Sequence, residues 1–293
     1  MQPDNLPWLL QNGVRVSLIV YTIERDGAAV RAMLERALEG AGLTGMLDVD
    51  VAMIQDAALA NSLELKRKIL VLELQHAMAD HAALMMLAAD CYFGNGSIRN
   101  IVTYCRKPGI VAGGIHVRAK RAEFRALLDQ YREKFGPAPI PNAKLVDMSL
   151  RSQITAFSQS NVDNDRNASG ETAISLREVA PNLMTVIQHI PSPFMFWPQQ
   201  SDINFFRVGG NGKGWEGFDH LWPSEVVMQR RWRMLASSDL FFLVELTDEV
   251  EQGHMYPMEE GMRYNERFKH SDLPHIVVNE TIVCTLRREP FLD

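Results

Sequence analysis

Residues 63–90 read LELKRKILVLELQHAMADHAALMMLAAD, and the fold turns on how this stretch is divided. Leu, Glu, Lys, Ala and Met favour helix, which would make it one long rod. The alternative is a strand over residues 69–74 followed by a helix over 77–89. Hydrophobic periodicity does not separate a short apolar strand from a buried piece of helix. The strand-then-helix division is adopted because it agrees with the neighbouring segments, which then read β-α-β-β-α-β over the first third of the chain.

Upstream, residues 14–23 (VRVSLIVYTI) alternate and are rich in β-branched residues, as a strand is. Val30, Met33, Leu34, Ala37 and Leu38 line one helical face that Gly40 or Gly42 ends. Residues 47–54 (LDVDVAMI) suit a strand with one wet face. Downstream, Asn95-Gly96 marks a turn and 98–105 (IRNIVTYC) reads as a strand. Pro108-Gly109 and Gly113-Gly114 then break structure. Phe124, Leu127, Leu128 and Tyr131 place a helix over 120–135, and GPAPIP is a stiff stop at 136–141.

The second half repeats the order. A strand is expected over 148–158, a polar loop over 160–170, and a mostly helical run over 171–190. A Pro-broken aromatic stretch, SPFMFWPQQ, follows at 192–200. Residues 203–208 and 218–222 read as strands joined by the glycine-rich turn in GGNGKGWEGFDHLWP, residues 209–223. Gly212 to Gly217 match G-x-G-x-x-G, but a strand follows where the dinucleotide fingerprint needs a helix, so a hairpin is preferred. Ser224 caps a helix running to Asp239. Residues 239–275 are irregular or partly helical, and 276–286 form the last strand. The predicted class is α+β, with two tandem ferredoxin-like (βαββαβ) units closing into an intramolecular α+β barrel. Their bounds are residues 12–106 and 148–293, with a helical connector over 107–147.

Composition narrows the function. The chain has 293 residues, 46% hydrophobic and 23% charged, with a net charge of −6. That suits about two domains, and the acidic balance argues against nucleic acid as a partner. Three scattered cysteines, Cys91, Cys105 and Cys284, give no disulfide framework and no cysteine zinc site, so a reducing cytoplasm is the simplest setting. No run approaches ~18 apolar residues, so no membrane span is expected. The first residues lack the basic and apolar regions of a signal peptide.

In the second unit, GWEGFDHLWPSEVVMQRRW, the ASSD that follows it, and HIVVNETIV resemble EthD-type domains of the dimeric α+β barrel superfamily. The matching residues are Asp219, Trp222, Glu225, Asp239 and Glu280. The first unit matches only in element order. The resemblance implies acid–base chemistry without a cofactor, such as cyclisation, dehydration or decarboxylation, on a hydrophobic aromatic or polyketide-like molecule. A histidine near neutral pKa would carry the proton.

His220 is the candidate base. Tyr21 and Arg151, polar residues on apolar strands at matching places in the two units, would polarise an oxygen. Trp197, Trp215, Phe206 and His189 are candidates to line the ligand site. No metal pair is expected, because His76 and His81 miss the i, i+4 spacing. Haem is the alternative cofactor, since tandem barrels of this type also hold it, although no proximal ligand stands out. A third reading is a non-catalytic small-molecule-binding or assembly protein, for which fifteen methionines would suit an adaptable surface. A second copy of the chain is a candidate partner.

Overall fold

A computed structural model describes residues 2–55, 62–87, 90–152, 174–180, 182–188, 194–208, 226, 229–248, 282–287 and 289. The glycine-rich stretch 209–223 and the loop 160–170 lie outside the described residues. The fold is mixed α+β, with a curled sheet that forms half a barrel.

After a short helix, α1 (Leu6–Gln11), the chain builds a βαβ unit. β1 (Ser17–Ile23) and β2 (Asp48–Ile54) pair in parallel along their whole length, from Ser17↔Asp48 to Ile23↔Ile54. α2 (Gly27–Gly40) crosses between them, and Leu38, Leu43 and Leu47 bury with Leu10 of α1. These three elements were legible in the sequence. Their arrangement is not that of a split βαβ, because β1 and β2 are direct neighbours with no strand between.

The stretch at 63–90 resolves against the expected strand. α3 (Ser62–Ala79) runs straight through residues 69–74, and only β3 (Leu84–Met85) follows. The packing shows why. Leu70, Leu74 and Ala77 are buried while Leu72 lies exposed, which is helical spacing and not strand alternation. Residues 98–105 are likewise helical: α4 (Ser97–Tyr104) starts behind Gly96, held at φ 77, and buries Ile101.

The main sheet is organised around a strand that was read as a connector. β5 (Ile110–Lys120) pairs with β8 (Phe194–Phe196), β9 (Arg231–Leu235) and β10 (Phe242–Thr247), and the path runs β3-β8-β5-β10-β4, with β4 at Cys91–Phe93. β9 runs parallel to the first five residues of β5, and β10 runs parallel to its last six. Gly113-Gly114 is not a break. A Cβ on Gly113 would sit 2.2 Å from Cη2 of Trp232, and one on Gly114 would sit 2.0 Å from Cδ1 of Phe241. The two glycines are where large rings press onto the strand.

Ile115, Val117 and Ala119 of β5 and Phe242, Val244 and Leu246 of β10 form one core face. α5 (Arg121–Phe135) covers it with Phe124, Leu128 and Tyr131, and α6 (Asn142–Arg151) with Leu145, Val146 and Met148. The helix at 120–135 agrees with expectation. The expected strand beginning at Met148 is, over its described residues, the end of α6 followed by a turn.

Other assignments in the second half also change. Residues 174–180 and 183–188 are two antiparallel strands, β6 (Ile174–Ala180) and β7 (Leu183–Gln188), with Asn182 before β7 at φ 62, where a mostly helical run was expected. They form a separate sheet with β11 (Ile282–Arg287), in the order β11-β7-β6. β11 falls where the last strand was expected. Residues 203–208 belong to α7 (Gln200–Val208), not to a strand. Residues 231–235 and 242–247 are strands β9 and β10 where helix and irregular chain were expected.

One buried ion pair ties this half together. Arg230 and Asp202 of α7 are almost wholly enclosed, and Nη1 and Nη2 of the guanidinium each donate to a carboxylate oxygen. Nη1 also donates to the Val226 carbonyl and Nη2 to that of Trp197, with the charge over the Phe196 ring. Removing one partner strands the other charge in a dry site, so Asp202→Ala should lose about 3–5 kcal/mol in denaturant unfolding. Gly114→Ala should lose about 3 kcal/mol, because the buried Phe241 ring has no room to retreat. Gly40→Ala, where a Cβ meets no atom within 4 Å, should change stability by less than about 1 kcal/mol.

Candidate acid–base site

Residues 115–120 read IHVRAK. Alternation sends Ile115, Val117 and Ala119 into the core and leaves His116, Arg118 and Lys120 together on the opposite face of β5. The register sets Leu243 of β10 opposite His116, Glu245 opposite Arg118 and Thr247 opposite Lys120. On the far side of β10, Cys91 lies opposite Glu245 and Phe93 opposite Leu243.

Glu245 is the hub of this face. Its Oε2 accepts from His116 Nε2 at 2.7 Å and from Arg118 Nε at 3.2 Å, while Oε1 lies 3.2 Å from Arg118 Nη2. The guanidinium therefore grips the carboxylate with two nitrogens. The side chains are 16% (His116), 23% (Glu245) and 34% (Arg118) exposed, sheltered yet within reach of solvent.

Burial alone would raise the carboxyl pKa of Glu245. The hydrogen bond and charge of His116, and then those of Arg118, outweigh it and hold the pKa at about 2. A carboxylate only accepts, so Nε2 of His116 carries the hydrogen that faces it. In the neutral ring the lone pair then sits on Nδ1, and no described residue bonds to that atom. An imidazole fixed in one tautomer by a carboxylate, with its other nitrogen open, is an arrangement that accepts and returns protons.

The same face continues into apolar packing. Leu243, Ala112, Leu235 and Phe241 bury with Ile101 and Cys105, and Met85, Cys91, Phe93, Tyr104, Met195 and Trp197 are half-buried against them. The Cys105 thiol is pushed up to about 11, chiefly by burial, which disfavours the thiolate a nucleophile needs. Among the described residues, no group of three His, Cys, Asp or Glu side chains could hold a metal ion. No described helix is long and apolar enough to cross a membrane.

The residues singled out from sequence are dispersed. Tyr21 of β1 donates its hydroxyl to Glu73 of α3, and its pKa is raised, first by burial and then by that carboxylate. Arg151 ends α6 and lies 3.7 Å from the buried Asp147. Neither bonds to the Glu245 cluster. Trp197 donates from Nε1 to the Cys105 carbonyl at 2.7 Å and packs against the apolar end of the same sheet face. Phe206 lies in α7. His220, His189 and Trp215 fall outside the described residues, as do the resemblance positions Asp219, Trp222, Glu225 and Glu280. Asp239 is described, and its backbone N–H donates to Ser237 Oγ in the turn before β10.

Sequence reasoning passed over His116, Arg118 and Glu245. The signal was present in the strict apolar–basic alternation of IHVRAK and in one acid within the apolar run FFLVELT. It was hidden by reading Gly113-Gly114 as a stop.

The depressed pKa of Glu245 links the site to acid stability. A group whose folded pKa lies below its ordinary 4.5 contributes stability that is complete above pH 4.5. That contribution fades as pH falls towards about 2. Glu245→Gln should therefore flatten the fall in stability across this window by roughly 1–2 kcal/mol, after allowance for partial exposure. Urea midpoints measured at several pH values for the two proteins would show it, and parallel curves would refute it.

The chain matches no family model, no curated protein and no solved structure.

Proposed function

We propose that the chain is an enzyme that moves a proton on a hydrophobic small molecule using its own side chains, with His116 as the proton carrier. The observation that supports this reading is the His116–Glu245–Arg118 cluster, set on a sheet face that continues into half-buried aromatic and aliphatic side chains. The Arg230–Asp202 pair is enclosed by protein, with both terminal guanidinium nitrogens bonded to the carboxylate. In the Glu245 cluster the imidazole keeps one nitrogen open beside an apolar surface.

In this role Glu245 holds the imidazole in one tautomer and stabilises the imidazolium formed when Nδ1 takes a proton. Arg118 is a positioning residue that keeps Glu245 ionised and oriented. The bound molecule would lay its apolar part towards Phe93, Met195 and Trp197 and present its acidic C–H or O–H bond to Nδ1. Cyclisation, dehydration and decarboxylation all pass through such a transfer. The EthD-like resemblance of the second unit and a barrel closed by the main sheet belong to this proposal, whereas the first unit, with β1 beside β2, is not a ferredoxin-like one. Their support is a curled sheet that half closes. His220 is the rival base, singled out from the sequence.

The test uses a simple aryl ketone, acetophenone, in heavy water, with deuterium wash-in beside the carbonyl followed by mass spectrometry. The wild-type protein should accelerate exchange. His116→Gln should cut that rate by about a hundredfold to ten-thousandfold, and His220→Gln should leave it within a factor of two or so. The reverse pattern would transfer the role to His220. A Soret band and full occupancy on haem addition would replace the proposal with the haem-binding alternative.

A further inference from the structure

β5 begins where a basic turn meets a basic strand. Arg106 and Lys107 lie in the turn that leaves α4 and enters β5. Parallel pairing sets Arg231 of β9 opposite Ile110 and Arg233 opposite Ala112. Alternation puts both arginine side chains on the face that carries Ala112 and Leu235, and α4 packs on that same face through Ile101 and Cys105. The turn and the start of β9 thus meet on one side of the sheet, at its Ile110 end. Arg106, Lys107 and Arg231 are exposed, and Arg233 is half-buried. None of these four side chains makes a hydrogen bond or an ion pair among the described residues. Asp202, the acid held beside this strand, is enclosed and already bound to Arg230.

The two basic segments are fixed relative to one another. The Arg231 N–H donates to the Gly109 carbonyl at 2.8 Å. Trp197 bridges them a second time. Its Nε1 donates to the Cys105 carbonyl, next to Arg106, at 2.7 Å, and its own carbonyl accepts from Arg230, next to Arg231, at 3.3 Å. Backbones held in this way lose little freedom on binding, so the cations are presented ready for an anionic partner. Like charges gathered without an acid also repel one another, and a bound anion removes that repulsion. The chain as a whole carries −6. Its field opposes a long polyanion or an anionic membrane, whose charge extends far past the patch, and favours a short acidic segment that touches the patch alone. Arg231 and Arg233 stand about 7 Å apart along β9, the distance between alternate side chains of an extended peptide. Guanidinium is the group that grips a carboxylate with two nitrogens.

We propose that Arg106, Lys107, Arg231 and Arg233 form a docking surface for an acidic polypeptide segment, laid extended along the start of β9 with carboxylates on alternate residues. The surface is separate from the acid–base cluster. Ala112, which marks its position on β5, precedes His116 by about four residues, roughly 13 Å of strand. The docking surface therefore does not rest on the acid–base reading.

The full chain is titrated into a fluorescent peptide in which glutamate alternates with serine, with anisotropy as the readout. Saturable binding is expected, weakened by added sodium chloride and absent for the same peptide with glutamine in place of glutamate. Arg231→Gln combined with Arg233→Gln should weaken binding about tenfold, and Arg106→Gln combined with Lys107→Gln by a similar factor. Arg31→Gln, which removes an exposed cation of α2, should leave it unchanged. The Arg106 and Lys107 side chains are exposed, so the effect of that pair on binding stands even where loss of the half-buried Arg233 side chain unsettles β9. No saturable binding, equal binding of the glutamine peptide, or wild-type affinity in both double variants overturns the proposal. So does tighter binding of single-stranded oligothymidylate or of phosphatidylserine vesicles, which would assign the patch to nucleic acid or to a membrane. His116→Gln should bind the peptide as the wild type does, so the failure of this surface and the failure of the acid–base reading are told apart.

Discussion

The close approach of two aromatic rings to a glycine pair is the constraint on which the main sheet depends. Trp232 rests where a side chain on Gly113 would stand, and Phe241 where one on Gly114 would. With that space open, β9 and β10 can both align with β5, the first with its opening residues and the second with its closing ones. The strand then becomes the shared partner of β8, β9 and β10, and its odd-numbered residues supply the middle of the core under α5 and α6. The site inherits its geometry from the same alignment, since the β5–β10 register is what sets Glu245 against Arg118 and within reach of His116.

Polar groups inside the fold divide by what surrounds them. Asn5 accepts from the Ile98 N–H at the start of α4 and donates to the Gly94 carbonyl, which fastens the first helix to the sheet. Ser97 both donates to the Phe242 carbonyl and accepts from its N–H, so α4 is pinned to β10. Nη1 and Nη2 of Arg230 donate to Asp202 and to two carbonyls. These groups are enclosed, and their hydrogen bonds specify how elements meet. The Glu245 cluster is of another kind. It is half-sheltered, it holds opposite charges in a defined geometry, and it leaves a ring nitrogen open, which is where perturbed titration tends to mark chemistry.

The local readings that agreed with the structure share one property. α2, β2 and α5 each carry their full period on one segment: alternation in DVDVAMI, or the 124, 127, 128, 131 spacing in α5. The ones that failed were short apolar runs whose partners lie far along the chain. In α3, ILVLEL has the composition of a strand, but Leu70 and Leu74 bury together against Val111, Phe196 and Ile203, contacts that no local pattern encodes. The aromatic run at 203–208 became helix, and the helix expected over 224–239 gave way, from Arg231 on, to β9. In each case tertiary packing overrode propensity, as it does when a segment's preference is weak.

By itself the sequence determined the class of the protein: mixed α and β structure, a sizeable apolar core, an acidic balance, and no described helix suited to a bilayer. It also carried His116 and Arg118 in plain alternation, as IHVRAK, without saying that the segment was a strand. The tertiary structure decided which histidine meets a carboxylate, because that depends on a pairing between residues 116 and 245 that spans nearly half the chain. Alternation states only that neighbouring side chains take opposite faces. Which face is covered, and which partner waits there, follows from strand register, and register is settled by packing between distant segments.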